Sequence, residues 1–451
     1  MEGQTMLLKR KAYKKLLEWK NKSGCKDALL LVGSRSVGKS FLCEQLGKNE
    51  YKSMIRVDFE NAPATLIDVF KNDSADLDLF FSKLAAYYKV RLHKSDSLII
   101  FDEVQHFPRG HQLIKSLAAD GRYDYIQTAS LSPARHNNDT ALPSGIEHIE
   151  LFPLDFEEFL RAMDDDITVS LLQYCFENRV PLGQGLHRKV MNDFRRYMLV
   201  GGMPQAVIEY VNEKDFDAAD KAKKRILALH RNDISKYAGG YARKVTAIFN
   251  AIPGQLSKKE KKYKISSLSK NARQRSYADA FIWLDESLMI NPCLNAADPV
   301  SGLTPSNEYS ARKVYMSDTG LLVTHAFRGI NSVENELYRA VLFDKLNVNS
   351  GMLMENMIAQ MLASGGHDLF FYSRTDTANR QNMMEIDFLI ANEKGICPVD
   401  VKSTEFRVRS SLDKFRNKFT SVYGEAYVLY PKDLAIKDGI VHLPLYMAMF
   451  L

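Results

Sequence analysis

Cysteine is scarce in this chain. Five occur in 451 residues, at Cys25, Cys43, Cys175, Cys293 and Cys397. They are scattered and odd in number, and no two stand at a spacing such as C-x-x-C. This argues against a disulfide framework or a cysteine-held metal and for a reducing compartment. Long apolar runs are also missing. Nothing approaches the run of about 18 residues that a transmembrane helix needs, so no membrane span is expected. Residues 1–22 are basic and amphipathic without a continuous apolar core. Neither a signal peptide nor a membrane anchor is expected there, and the default location is the cytoplasm. No internal repeat, heptad or low-complexity tract occurs. No charge sign dominates either: the formal net charge is +6, with 26% charged residues. That mild basic bias permits an anionic partner such as nucleic acid without demanding one.

What is present is enough apolar residue, 45% of the chain, for more than one core. A single core stops growing at roughly 250–300 residues, so about two to four domains are expected. Leu7, Tyr13, Leu16, Leu17 and Trp19, interleaved with basic residues, read as an amphipathic helix. Short apolar runs then alternate with helical stretches. Strands are expected over 28–32, 54–59, 98–101, 125–129 and 146–152, with a helix from about Gly38. Apolar strands alternating with helices argue for a parallel α/β sheet. From Asp155 to about Ala242 the pattern is helical, with acids in the first turn and a break at Gly201-Gly202-Met203-Pro204. Beyond Arg243, a piece at 265–268, a helix from about Ala272 to Ser287 and two strand-like pieces at 289–294 and 313–316 suggest a winged helix. The Pro-, Asn-, Ser- and Asp-rich stretch 295–308 fits the loop between the wing strands. The last region, from about Asn331, starts helical and then reads β-α-β.

The most specific signal is Gly33-Ser34-Arg35-Ser36-Val37-Gly38-Lys39-Ser40, a full match to G-x-x-x-x-G-K-[ST] after an apolar strand and before a helix. The glycines let backbone N–H groups curl around phosphates, Lys39 reaches the β- and γ-phosphates, and the Ser40 hydroxyl ligates Mg²⁺. ATP and Mg²⁺ are the expected ligands. The partner motif is Ser97-Leu98-Ile99-Ile100-Phe101-Asp102-Glu103, an apolar strand ending in two acids. Asp102 is expected to hold the Mg²⁺ shell, and Glu103 to polarise the attacking water. The strand 125–130 ends in hydroxyl residues. A polar side chain there either senses the γ-phosphate or positions water, or else Thr128, Ser130 or Ser132 is a plain N-cap.

At this point the chain resembles bacterial and archaeal AAA-type ATPases that carry a second, poorly characterised domain behind the ATPase core. The resemblance is carried by Gly33 to Ser40, Phe101-Asp102-Glu103-Val104-Gln105, Thr128-Ala129-Ser130, the segment 151–159, Gly201-Gly202-Met203-Pro204, Gln255-Leu256-Ser257-Lys258-Lys259, the segment 313–322 and Glu355-Asn356. It implies an AAA-type core, a helical lid, a winged helix and a nuclease-like C-terminal fold, but no physiological substrate. Such proteins usually carry Gly-Arg shortly before the Pro-Leu-Ser-Phe-like segment. Here Ser144 and Gly145 stand in that place. An arginine finger must then come from elsewhere: from Arg109, from Arg195 or Arg196, or from a partner or neighbouring subunit.

Three C-terminal pieces resemble the PD-(D/E)xK nuclease core. Glu355 lies on a helical stretch, Asp387 on a polar/apolar strand, and Asp400 with Lys402 on the next strand, two residues apart and on one face. In that fold the acids, here Asp387 and Asp400, hold one or two Mg²⁺, and the lysine orients the water. An active nuclease, a binding-only domain of that fold and an unrelated fold with an Asp387–Lys402 ion pair all remain open. The basic run 258–264 and Arg273, Gln274 and Arg275 at the start of the expected recognition helix suit DNA contacts, or else form a solvated packing module.

The expected fold is multidomain α/β: a P-loop AAA-type core (1–155), a helical lid (156–242), a winged helix (243–328) and a restriction-endonuclease-like α/β domain (329–451). The expected function is ATP binding and hydrolysis coupled to DNA binding or processing. The alternative is a nucleotide-gated protein-binding switch with an inactive nuclease-like domain.

Overall fold

A computed structural model describes residues 8–131, 146–258, 262–269, 272–306, 312–327, 350–374, 383–402 and 410–451. The chain divides into two compact units. One comprises Lys9–Phe152 with Glu286–Leu288, and the other holds Pro153–Asp285 and Met289–Leu451.

The first unit is built on five parallel strands, β1 (Ala28–Val32), β2 (Ser53–Asp58), β3 (Ser97–Asp102), β4 (Asp124–Ala129) and β5 (Ile146–Glu150), in the order β2-β3-β4-β1-β5. Every residue of β1, β3 and β4 is buried. Successive side chains of a strand point to opposite faces, so such strands need an apolar layer on each side. Two separate cores supply these layers. Ala28, Leu30, Val32, Ile99 and Phe101 join one, while Leu29, Leu31, Leu98 and Ile100 join the other. Helix α1 (Lys11–Ser23) buries Leu16 and Trp19 in the second core, beside Leu42, Cys43 and Leu46 of α2 (Lys39–Glu50). Helices α3 (Ala64–Asn72), α4 (Leu77–Tyr88) and α5 (Pro108–Asp120) cover the first, around edge-to-face rings of Phe59, Phe70, Phe80 and Phe101. The strand order places β4 between β1 and β3, which brings the ends of all three together.

The second unit opens with α6 (Phe156–Ala162), α7 (Asp166–Asn178), α8 (Gln184–Val200), α9 (Pro204–Glu213), α10 (Phe216–Tyr237) and α11 (Ala242–Ser257), followed by α12 (Ala278–Glu286). The acids expected at the first turn form a capping box: Asp155 accepts from the Glu158 N–H, and Glu158 accepts from the Asp155 N–H. The eight strands β6 (Ile290–Asn295), β7 (Arg312–Met316), β8 (Phe370–Arg374), β9 (Met384–Asn392), β10 (Gly395–Val401), β11 (Tyr427–Tyr430), β12 (Ala435–Lys437) and β13 (Ile440–Pro444) form one mixed sheet, ordered β12-β13-β11-β10-β9-β8-β6-β7. Helices α13 (Thr319–Ala326), α14 (Ser350–Ser364) and α15 (Ser410–Lys418) complete the unit.

Four findings differ from the sequence expectations. The antiparallel pair β6–β7, expected as a wing, continues the C-terminal sheet because β6 pairs in parallel with β8. Residues 265–267 are a single 3₁₀ turn. Its entry at Lys264 is held by the Gln255 amide, which donates to the Lys264 carbonyl (3.0 Å) and accepts from its N–H (3.1 Å). The helix expected from Ala272 starts at Ala278, behind a 3₁₀ turn over Gln274–Tyr277. There Ser276 bonds the Arg273 carbonyl (2.7 Å), a local bond that competes with helix formation. The last region holds more strands than β-α-β. Ser132, Ser144, Gly145, Lys259 to Lys261, part of the 295–308 loop and the expected boundary at 328/329 lie outside the described residues. Among the described residues, no helix is long and apolar enough to cross a membrane.

The glycines at 201, 202 and 320 have a packing role. Asp318, buried at the N-cap of α13, accepts from the backbone N–H groups of Gly202 (2.6 Å) and Leu321 (2.7 Å). A Cβ on Gly202 would lie 2.0 Å from the Leu154 carbonyl oxygen, and one on Gly320 2.5 Å from that of Val200. Gly201 takes a φ of 82°, and its Cβ would strike the Asp318 carboxylate. Gly202→Ala should therefore destabilise the fold by roughly 1–3 kcal/mol. Gly185→Ala, inside α8 with nothing within 4 Å of its Cβ position, should be neutral or stabilising by about 0.4–1 kcal/mol. Urea unfolding midpoints check both. Equal midpoints for the two variants contradict the packing account.

Candidate functional site

The loop from Gly33 to Ser40 leaves the end of β1 and enters α2 with Gly38 as N-cap at φ 101°. Ser36 also takes a positive φ, 67°. A Cβ on Gly33 would fall 2.6 Å from the Leu151 carbonyl oxygen, so this position admits only glycine. Arg10, ahead of α1, donates to the carbonyl oxygens of Val37 (3.1 Å) and Phe152 (2.6 Å), and so holds the loop from behind. Arg35 pairs with Glu60 through both carboxylate oxygens (3.0 and 3.1 Å).

Lys39 is the centre of the site. Its side chain is buried, with the ammonium on the carbonyl oxygens of Gly33 (2.9 Å) and Ser34 (3.3 Å), on Ser130 Oγ (2.9 Å) and on Glu103 Oε1 (3.4 Å). A buried charge requires this degree of satisfaction. Ser130 passes the contact on, because its hydroxyl donates to both oxygens of Glu103 (3.0 and 2.8 Å).

The two acids at the end of β3 take separate roles. Asp102 is buried. Its Oδ1 accepts from Ser40 Oγ (2.8 Å) and from the Thr128 hydroxyl. Its Oδ2 is gripped by Arg56 through Nε (2.8 Å) and Nη2 (2.5 Å), and Arg56 also reaches Glu44 (2.7 Å). Glu103 leaves the strand in the left-handed region, at φ 52° and ψ 53°, an uncommon conformation for a residue with a side chain, of the kind that gathers at functional sites. Its N–H donates to Thr128 Oγ1 (3.0 Å), and Gln105 donates to its carboxylate (2.5 Å). Thr128 and Ser130 thus bind the two acids and Lys39 directly. Ser40 and Asp102 Oδ1, side by side at the loop, suit a Mg²⁺ ion carried in with nucleotide.

The sequence reading missed Arg56, Glu44 and Arg10. A basic residue inside β2, whose neighbours alternate in burial, was the available signal for Arg56. The candidate arginines are otherwise engaged: Arg109 donates to the Lys71 carbonyl (3.0 Å), Arg195 to Asn192 (2.9 Å) and Arg196 to Asp193 (2.6 Å).

The second unit gathers the C-terminal residues. Val399 of β10 faces Phe388 of antiparallel β9, which sets Asp400 beside Asp387. The two carboxyl groups share a hydrogen bond, and Asp387 Oδ2 also accepts from the Val401 N–H (2.9 Å). Lys402 lies 2.5 Å from Asp400 Oδ2. Glu355, on α14, meets Lys313 Nζ (2.8 Å) and the Tyr315 hydroxyl (2.5 Å), and Lys313 Nζ stands 3.7 Å from Asp387 Oδ1. Sequence reasoning did not include Lys313 or Tyr315, although both lie in the motif 313–322. The ion pairs are Lys402 with Asp400 and Lys313 with Asp387 and Glu355. Burial, the charge of Asp387 and their shared hydrogen bond push Asp400 up to about 7. For Asp387, burial acts upward but is outweighed by Lys313 and the hydrogen bonds from Asp400 and Val401, which hold it below the usual carboxylate range. Among the described residues, no group of three or more His, Cys, Asp or Glu side chains is placed to hold a metal ion.

Electrostatics in the first site yield a pH test. Burial raises the pKa of Glu103, but the Lys39 charge and hydrogen bonds from Gln105 and Ser130 outweigh it and hold the group below its ordinary value. A carboxyl whose folded pKa is depressed stabilises the fold above its unfolded value and loses that contribution as pH falls through the folded value. Glu103→Gln should therefore destabilise the nucleotide-free protein at about pH 7 by roughly 1–2 kcal/mol. The difference from wild type should shrink once pH drops below about 4.3. Urea midpoints of both proteins across pH check this, and a difference independent of pH contradicts it.

Residues 26–160 match the model of a family described as AAA domain. Residues 191–334 and 350–447 match two further families, each described as a domain of unknown function (DUF8612 and DUF4143). The AAA match supports an AAA-type ATPase. No curated protein matches the chain. A solved structure of C. elegans PCH-2 is 14% identical over 35% of this chain and 46% of that one, at a TM-score of 0.23. The chain spans under half the length of that protein, and a likeness this low carries no argument.

Proposed function

We propose that the chain binds ATP with Mg²⁺ at the Gly33–Ser40 loop and hydrolyses it slowly, as a nucleotide-gated switch. The observation that carries this reading is the Lys39–Ser130–Glu103 contact. In this arrangement the phosphate-binding ammonium is held by the residue that would act as general base. Arriving phosphates offer Lys39 stronger acceptors, so the ammonium transfers to the β- and γ-phosphate oxygens and Glu103 is released. Glu103, ionised at neutral pH, then takes the proton from a water that attacks the γ-phosphorus, while the bond to the β-phosphate oxygen breaks. Ser40 and Asp102 would hold a Mg²⁺ ion arriving with the nucleotide, which would neutralise phosphate charge, and Arg56 keeps the Asp102 carboxylate oriented. The hydroxyls of Thr128 and Ser130 tie the end of β4 to this exchange.

Slow turnover follows from the arginines. A finger contributes about 10³–10⁵ in rate, and Arg109, Arg195 and Arg196 are held by local partners. Lys39→Ala should weaken ATP binding on the order of 10–100-fold, by loss of a charge-assisted contact. Glu103→Gln should bind ATP at least as tightly as wild type and hydrolyse it about 10²–10⁴-fold more slowly. Titration with a fluorescent ATP analogue and steady-state phosphate release measure the two effects. ATP affinity unchanged in Lys39→Ala overturns the assignment.

Coupling of the switch to DNA is the finer reading. It rests on exposed Lys258, Lys264, Arg273 and Arg275. If it is correct, duplex DNA binds with an affinity that falls linearly in log salt. Replacing Arg273 and Arg275 together by alanine should then reduce the slope by about 2. DNA affinity that is absent at low salt favours a protein partner instead.

A further inference from the structure

The acid cluster of the mixed sheet has one feature that a metal site does not tolerate. Lys313 enters from β7, almost wholly buried. Its strand partner is the buried Cys293, and its ammonium lies 5.5 Å from the centre of the Phe371 ring. From there it reaches carboxylates on two other elements, Glu355 Oε1 at 2.8 Å and Asp387 Oδ1 at 3.7 Å. Divalent cations held by carboxylates sit about 2.0–2.6 Å from the oxygens, in the space between the ligands. Here that space holds an ammonium. Other donors add to it: Tyr315 donates to the same Glu355 oxygen, Oε1, the Val401 N–H to Asp387 Oδ2, and Lys402 pairs with Asp400.

We propose that Lys313 Nζ is the resident cation of this cluster, standing where a divalent metal would bind between Glu355 and Asp387. The expected Mg²⁺ role of Asp387 and Asp400 is thereby replaced by internal charge pairing. The cluster keeps the acid and acid-x-Lys arrangement while needing no metal. Removing the ammonium leaves Glu355 and Asp387 without the cation they share, and two such carboxylates attract a divalent ion. Restoring a metal site should therefore take a single substitution.

The test titrates the nucleotide-free full-length chain with MnCl₂ by isothermal titration calorimetry. Wild type should show no Mn²⁺ site that depends on Asp387. Lys313→Met, which keeps the length of the side chain and drops the charge, should gain Mn²⁺ binding at least ten-fold tighter than wild type. Adding Asp387→Asn to Lys313→Met should remove that gain. A wild-type Mn²⁺ site that Asp387→Asn abolishes overturns the proposal, and so does a folded Lys313→Met that gains no binding. If Lys313→Met does not fold, the wild-type titration with its Asp387→Asn control decides alone. No nucleotide is present, so the outcome is independent of the ATPase reading.

Discussion

A buried ammonium has no water to satisfy it, and it persists only where acceptors are built around it. This constraint organises both units. In the parallel-sheet unit, Lys39 draws two loop carbonyls, Ser130 and Glu103 into one cluster. In the mixed-sheet unit, Lys313 joins β7 to α14 and β9. Lys223 on α10 is a third case. It is fully buried, donates to the Leu199 carbonyl (2.6 Å), and burial lowers its pKa to about 8 against the pull of Asp220 and Asp318. The three differ in what surrounds them. The acceptors of Lys39 are three neutral oxygens and one carboxylate. Those of Lys313 are two carboxylates on regular elements, α14 and β9.

The same economy explains motifs that first read as family marks. Asn356 and Gln360 on α14 are buried amides, and each finds backbone or hydroxyl partners. Asn356 accepts from the Met316 N–H (2.8 Å) and donates to its carbonyl (3.1 Å) and to Thr319 (2.9 Å). Gln360 accepts from Thr319 and donates to the Tyr197 hydroxyl (2.9 Å), which in turn donates to the Leu154 carbonyl (2.6 Å). With Asp318 on Gly202, this chain of bonds ties α14, α13, α8 and the residues before α6 into one body. Glu355-Asn356 and the segment 313–322 therefore work together, one pair of residues serving the acid cluster and the next the interior.

The parallel sheet was legible because its strands are buried on both faces and read as unbroken apolar runs, and because the loop motif demands a strand before it and a helix after it. The acids Asp102 and Glu103 were legible for the same reason. Arg56 was not, since its partners come from β3 and α2 and only strand order brings them together. Asp387, Asp400 and Lys402 could be aligned from period-two spacing, but Lys313 joins them through the β6–β7 pair, which local pattern assigned to a separate wing. Hairpin geometry is set within a few residues, whereas membership in a sheet depends on the parallel pairing of β6 with β8. The helix expected from Ala272 is a 3₁₀ turn over Gln274–Tyr277 followed by a helix from Ala278, a boundary the local pattern does not fix.

The exchange at Lys39 is the centre of this account. A crystal structure of the protein with Mg²⁺ and a non-hydrolysable ATP analogue tests it most directly. The account predicts the Lys39 ammonium on the β- and γ-phosphate oxygens, no longer on Glu103, with the Glu103 carboxylate turned to a water in line with the γ-phosphorus. An analogue bound elsewhere, or bound at the loop while Lys39 still contacts Ser130 and Glu103, would contradict it.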